Sequence, residues 1–504
     1  MLKTNNTNPL INFLLSWKLG LVLLLLAGLG IRMYDLTDPP LDFHSTRQML
    51  SFHKARGMYY EFRTDANPEK RAFAIQQWKY GAAVEPEILE RIVAFTYRYT
   101  GVELWVARIY SSLFWVIGGL FIFLLAKELV SINGALVSTA FYLFLPYAVS
   151  ASRSFQPDSM MIMLIIIFWW AVFRWSKNPT SYGWAALAGL FGGISIFIKL
   201  VAAFFVVAAG LGAAFGGQTL RDLVRRPQVY LMSVLGILPG AAYIVYGVWF
   251  TGFLGQQFGG RSMPALYLSP AYYLGWIGIL NLVMGGIPIL LGLLSFYFIR
   301  DKGTFRFLSA LWAGYLLFGI YFNYHISTHD YYSMILIPIV ALSLAPLADY
   351  LITSLQQTPF YERTKIIPVL FVIAGLFLVN WNTRAVLKAN DYRDEPAKWT
   401  EISQTVGKDA RLIALTQDYG MRLSYWGWIS TVVWQRSGDI YYHENRGAEF
   451  QFEKMFAETA SNKDYFIITD FDELEKQTLL KDYLYSQYPI AFSGEGYIIF
   501  DLQP

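Results

Sequence analysis

Eleven long apolar stretches constrain this 504-residue chain more than any other feature. A helix that crosses a bilayer needs about 20 mostly apolar residues. Stretches of that kind run over 15–33, 104–126, 135–150, 160–173, 184–198, 201–214, 230–250, 272–298, 307–322, 332–351 and 366–379. Charged residues make up 15% of the chain and apolar ones 55%, against about 25% and 45–50% in soluble domains. A soluble chain of this length would divide into about three domains, each needing a polar skin, and the charges to build those skins are missing. The composition therefore excludes a soluble multidomain enzyme, a disordered chain and a fibrous one. The expected class is an α-helical polytopic membrane protein with about 11 transmembrane helices. The first stretch runs long and has no small-residue cleavage site, so it reads as an uncleaved anchor rather than a signal peptide.

The region 184–214 is the ambiguous one. As a single helix it would be about 46 Å long, against a bilayer core of about 30 Å. Its flanks are basic on both sides, with Arg174 and Lys177 before it and Arg221, Arg225 and Arg226 after it. Positive loops stay in the cytoplasm, so the chain should cross an even number of times here. Two short helices meeting at Lys199 on the outer side satisfy that requirement. With the N-terminus inside, thirteen Lys and Arg residues fall in short inner loops and only Arg153, Lys199 and Arg261 in short outer ones. This orientation puts the long loop 34–103 and the tail outside.

Charge divides the chain as well. From Lys388 onward there are 12 basic and 19 acidic residues, a balance of −7, which leaves +11 for residues 1–387. The expected division is a membrane domain over 1–385 and an extracytoplasmic α/β domain over 386–504. Short β-rich runs (412–416, 465–469, 497–500) alternate there with helix-like segments such as 471–483, and Gly494-Glu495-Gly496 should turn a terminal hairpin. Within the loop 34–103, Ile88, Leu89, Ile92, Val93 and Thr96 recur at helical spacing behind Pro86. They predict an amphipathic helix at the outer interface, and a second is expected over 46–60. The chain has no cysteine, so thiol nucleophiles and metal-thiolate sites are excluded. It has no P-loop, dinucleotide fingerprint or nucleophile elbow, and no nucleic-acid partner is expected.

The chemistry should lie among the outward-facing polar groups. Asp42 follows Pro39-Pro40 just beyond the first span, with His44 and Arg47 close behind. The prolines stiffen the backbone there, although Asp42 or Ser45 could simply cap the next helix. Asp158 opens the fourth span after Arg153 and Pro157, where helix initiation is the plain alternative and an acid and an arginine at a membrane edge are otherwise costly. Lys199 has no acid near it in sequence and could be a snorkelling side chain or a cation for a phosphate. His325, His329, Asp330, Tyr331 and Tyr332 crowd one outer loop, and Arg261 is the lone cation of a glycine-rich one. His44 with a carboxylate could hold a divalent metal ion, though no His-x-x-x-His spacing supports it.

The order of these features resembles the C-type integral-membrane glycosyltransferases, over about residues 10–385. They are a proline-flanked acid in a long first outer loop, a second acid opening span four, a His-Asp-Tyr-Tyr loop before a late span, and an outer α/β tail. Within that superfamily the chain is similar to the family 39 branch, which includes protein O-mannosyltransferases and aminoarabinose-to-lipid A transferases. The resemblance implies a membrane-lipid donor, a polyprenyl phosphate carrying one sugar, and an envelope acceptor. It implies that Asp42 is the general base or acceptor-orienting carboxylate and that Asp158 is the second catalytic acid. Lys199, Arg261, His329 and Tyr331, joined by Arg153 and Arg47, would contact the donor phosphate or substrate. Members often carry an acidic pair in the first loop where this chain reads Asp42-Phe43-His44, which leaves open what assists Asp42 and whether a metal takes part. The rival readings are a transporter or lipid-linked glycan flippase, and a scaffold presenting its acidic tail. Transporters place polar sites near the midplane of repeated halves, whereas these candidates crowd one face.

Overall fold

The computed structural model describes residues 17–81, 85–215, 219–255, 262–359, 366–444, 447 and 449–503. Six described helices are long and apolar enough to cross a membrane, or seven with one bent pair counted as a span. They make this a multi-pass membrane protein. Three shorter apolar helices, Ile132–Phe144, Tyr182–Ile198 and Ala202–Ala214, accompany them. The chain divides into two compact units. The first comprises Met1–Leu36, Ala82–Leu89 and Val106–Ala389; the second comprises Thr37–Gly81, Glu90–Trp105 and Asn390–Pro504.

Small residues let the helices of the first unit approach closely, as membrane packing favours. Gly189 and Gly193 lie one turn apart on Tyr182–Ile198, and a Cβ on Gly193 would fall 2.1 Å from the Leu235 carbonyl oxygen. Helix Pro227–Val245 therefore packs backbone to backbone against them. Gly212 and Gly314 do the same for Ala202–Ala214 against Lys302–Tyr321. The stretch 184–214 does form two helices, with Lys199 at the C-terminal end of the first.

Two expected spans are broken instead. Residues 135–150 divide into Ile132–Phe144 and Pro146–Ala151, because Pro146 can continue neither the hydrogen-bond ladder nor the helical conformation of Leu145. Residues 272–298 form Pro270–Met284 and Gly286–Phe298, bent by 89°. Gly285 sits between them at φ +76°, a conformation that favours glycine.

The second unit holds the sheet. Strands β1 (Leu412–Leu415), β2 (Thr431–Val433), β3 (Tyr465–Ile468), β4 (Ile490–Gly494) and β5 (Tyr497–Asp501) lie in the order β2-β1-β3-β5-β4. β1 runs parallel to β2 and β3, while β5 is antiparallel to β3 and β4. The terminal hairpin turns at Glu495-Gly496 as expected, with Gly496 at φ +74°. The central strands β1 and β3 are covered on both faces and are apolar throughout. Ile413, Leu415, Phe466, Ile468 and Phe500 pack on one side with Trp434 and Phe456. Leu412, Ala414, Ile467 and Ile499 pack on the other with Trp399 and Ile402.

The same unit takes in helices from the first loop. Ser45–Phe62 and Ile88–Thr100 are present close to their expected bounds, and Pro68–Tyr80 is an addition. Val93, Ala94 and Tyr97 bury one stripe of Ile88–Thr100 within the protein, leaving Phe95 and Tyr99 exposed. The segment 471–483 is two helices, Phe471–Lys476 and Thr478–Gln487, parted at Gln477.

Candidate functional site

Asp158 is the first residue of helix Asp158–Lys177, behind Pro157, whose ring has nothing to cap with. Its carboxylate accepts both bonds from the Lys199 ammonium, Nζ lying 2.9 Å from Oδ1 and 3.1 Å from Oδ2. Both side chains are buried. Lys199 is therefore not a snorkelling lysine. The break between Tyr182–Ile198 and Ala202–Ala214 releases it from helical geometry and lets it reach an acid 41 residues away. An isolated buried ion is strongly disfavoured, and a paired one persists only with good geometry, which the two bonds provide.

The outer-loop aromatics complete this cluster. The Tyr331 and Tyr332 rings lie 5.2 and 5.6 Å from Lys199 Nζ, within the range in which a ring face attracts a cation. Asp158, Lys199, Tyr331, Tyr332, Phe205 and Phe318 line one small pocket. His329 sits at its margin, its ring 5.7 Å from that of Tyr331 and its Nδ1 2.8 Å from the Thr328 hydroxyl. Tyr147 lies near enough to Asp330 and Asp158 to feel their charges. Thus Asp158, Lys199, Tyr331 and His329 are brought together, and Tyr332 and Tyr147 join them. Tyr332 was visible as the second tyrosine of the motif, whereas Tyr147 carried no signal of its own.

Arg153 is buried, and its Nη2 donates to the Asp35 carbonyl 3.1 Å away. Arg108 Nη1 donates to the Asp35 and Leu36 carbonyls, each at 3.2 Å. The two guanidiniums hold the backbone where it leaves the first helix. Arg261 lies outside the described residues.

The first-loop candidates belong to the second unit. Pro39, Pro40, Leu41 and Phe43 are buried while the Asp42 carboxylate is exposed. The segment is thus anchored on either side of an acid that faces out. Tyr392 lies near enough for the Asp42 charge to act on its hydroxyl. Neither Asp42 nor Ser45 caps the next helix. Its N-cap is His44, held at φ +44° with no side-chain cap bond, a conformation that costs a non-glycine residue about 1–2 kcal/mol. Arg47 lies half-buried on the first turn. Among the described residues, no three His, Cys, Asp or Glu side chains are placed to hold a metal ion, so His44 has no such set around it.

Helix Ser45–Phe62 carries a buried polar ladder. The Ser45 and Thr46 hydroxyls donate to Asp418 Oδ1 at 2.6 and 2.8 Å. Asp418 in turn pairs with Arg422, which also reaches Glu395 at 3.1 Å. Burial opposes the Arg422 charge, but the two carboxylates outweigh it and raise its pKa. Further along, Arg56 lies between the Tyr425 and Trp428 rings, 4.0 and 4.1 Å from their centroids.

His53 beside it is pushed down to about 3 by burial and by the Arg56 charge, against a backbone bond to Met421 that raises it. Unfolded, this histidine takes up a proton near pH 6.5; folded, it does so only near 3. Its neutral form therefore contributes stability that is present above pH 6.5 and lost as the pH falls toward 3, at about 1.4 kcal/mol per pH unit. Thermal melts of the purified protein should show an acid-induced drop between pH 6.5 and 4.5 that is smaller in His53→Gln. Equal drops in both proteins would contradict this assignment.

With this geometry in place, the chain can be compared with known proteins. Residues 85–246 match the family model of dolichyl-phosphate-mannose-protein mannosyltransferases, a region that contains Arg153, Asp158 and Lys199. No curated protein matches the sequence significantly. Among solved structures, ArnT from Cupriavidus metallidurans in the apo state aligns with a TM-score of 0.56 at 12% identity, covering 96% of this chain and 98% of that one. ArnT bound to undecaprenyl phosphate gives 0.55 at 13%, covering 95% and 97%. The Archaeoglobus fulgidus oligosaccharyltransferase in complex with zinc and sulfate gives 0.52 at 12%, covering 95% of this chain and 73% of that one. The chain shares the fold of these ArnT and oligosaccharyltransferase structures, and a small sheet lies in its C-terminal part.

Proposed function

We propose that this protein is an inverting glycosyltransferase that moves one sugar from a polyprenyl-phosphate donor to a hydroxyl of an envelope acceptor at the outer face of a bacterial plasma membrane. The observation that carries the reading is the buried Asp158–Lys199 pair beneath Tyr331 and Tyr332, in a fold shared with an enzyme bound to undecaprenyl phosphate.

Breaking the bond between C1 of the sugar and the phosphate oxygen leaves a polyprenyl phosphate carrying the bonding electrons. A fixed cation beside the leaving oxygens lowers the barrier, because it is already aimed where charge develops. Lys199 is suited to that task, since Asp158 keeps its ammonium charged and limits where it can go. Tyr331 and His329 lie close enough to contact the same group. Asp42, exposed between buried neighbours, takes the acceptor proton as the new bond forms. A single displacement at C1 inverts the anomeric centre. The exposed apolar helix faces suit a membrane-embedded isoprenoid tail. Arg261 and Arg47 remain candidates for donor or acceptor contacts. The division of labour at residue 385, with the tail outside, belongs to the same reading.

The stereochemical claim is tested with polyprenyl-phosphate monosaccharides of defined anomeric configuration and a crude envelope extract as acceptor. NMR of the product should show the opposite configuration. A retained configuration would contradict the single displacement.

A further inference from the structure

Asp42 stands on a segment that is held on both sides by residues more than 350 positions away in the chain. Four residues before it, Asp38 is buried, and its Oδ1 accepts the Tyr392 backbone N–H at 3.0 Å. Arg393 Nη1 lies 3.5 Å from the same oxygen. Three and four residues after it, Ser45 and Thr46 donate to Asp418. Pro39 and Pro40 stiffen the span between these anchors. The partner at the second anchor is itself unusual. Asp418, Tyr419 and Gly420 occupy the left-handed region in succession, at φ +55°, +54° and +73°, and strained backbone of this kind persists only where its surroundings hold it in place. Arg422 pairs with the Asp418 carboxylate from behind and is itself held by Glu395, to which Trp399 Nε1 donates at 2.6 Å.

We propose that Asp418 is a positioning residue for Asp42: together with the Tyr392–Arg393 anchor on Asp38, it makes the tail a clamp that sets where the first-loop carboxylate points. The inference rests on the reading of Asp42 as the acceptor-activating group. The tail then has a task in the transfer itself, because a carboxylate displaced by about 1 Å loses much of its effect as a base. The task requires no contact between Asp418 and substrate.

Two variants separate positioning from folding. Asp418→Ala removes the anchor and leaves Arg422 with Glu395 alone. The double variant Ser45→Ala/Thr46→Val cuts only the bonds to the first-loop helix and leaves the Asp418–Arg422 pair intact. The chain has no cysteine, so Asp42→Cys supplies a single thiol for a nitroxide label in the full-length protein. The expected result is a narrower, more mobile spectrum at position 42 in both variant backgrounds. With Asp42 present, kcat should fall about 10–100-fold at nearly constant donor KM. It should recover in part in Asp418→Glu, and neither variant should lower the residual rate of Asp42→Asn further. An unchanged label spectrum in both backgrounds would overturn the clamp, as would a loss of activity that only follows the loss of folded protein. A mobilised label in both backgrounds, together with no sugar transfer by the folded wild-type protein, would leave the clamp standing and remove the catalytic reading instead.

Discussion

Asp42→Asn should lower sugar transfer about 10²–10⁴-fold, the contribution a positioned general base makes, without reducing the yield of folded protein. The separation follows from where the residue sits. Leu41 and Phe43 bury their side chains, whereas the Asp42 carboxylate is exposed. Exchanging an exposed acid for its isosteric amide keeps the side chain's volume and opens no cavity. Surface changes of this type move stability by about 0.5 kcal/mol or less. The amide cannot accept a proton from an acceptor hydroxyl, so the loss should fall on kcat. Donor KM should move little, because the donor phosphate is assigned to other residues. The check is a progress curve for each protein at matched folded concentration, with size-exclusion profiles compared. A variant that keeps more than half of the normal turnover would remove Asp42 from the mechanism.

Lys199→Met should cost both stability and activity, and by separable amounts. Removing one member of a buried pair leaves the other uncompensated, a penalty of about 3–5 kcal/mol. Here the orphan would be Asp158, which is 3% exposed. Replacing both partners, as in Asp158→Asn/Lys199→Met, removes the charge that needed a partner, so most of the stability should return. Activity should not return. The cation proposed to face the leaving phosphate is absent from both variants, and losing one fixed electrostatic contact at a developing charge costs about 10²–10³ in kcat. Melting temperatures in detergent and turnover numbers for the four proteins of this cycle make the test. Additive stability losses would show that the two residues do not act as a pair. Recovered turnover in the double variant would show that Lys199 serves packing rather than chemistry.

The membrane class could be read from composition because a bilayer demands long apolar runs, and such runs survive any detail of packing. The two-helix reading of 184–214 rested on a second independent constraint, the basic residues on both flanks. Breaks inside a run were harder to see. Gly285-Gly286 and Pro288 were visible, but a 27-residue apolar stretch absorbs a glycine pair without losing its overall signal. The polar helix Pro68–Tyr80 was missed for the opposite reason. It has almost no amphipathic periodicity, and its only marks were Asn67 at the N-cap and Pro68 after it.

The candidate site was legible residue by residue but not in its pairings. Lys199 appeared as a cation without an acid because its partner lies 41 positions back, a distance that local pattern cannot bridge. Ser45 appeared as a possible cap, and its hydroxyl is instead spent on Asp418. Asp418 itself gave no signal, since one acid among 19 in an acidic tail has nothing in sequence to distinguish it. What separates it is three successive left-handed residues and two hydroxyl donors, both products of the folded chain.

The most direct test follows release of polyprenyl phosphate from a panel of polyprenyl-phosphate monosaccharides. Membranes bearing the wild-type chain or Asp42→Asn are supplied with a crude envelope extract. The account predicts release by wild type with at least one donor, and about 10²–10⁴-fold slower release by the variant. No release from any donor by folded wild-type protein would contradict the assignment as a sugar transferase and direct the search to lipid translocation.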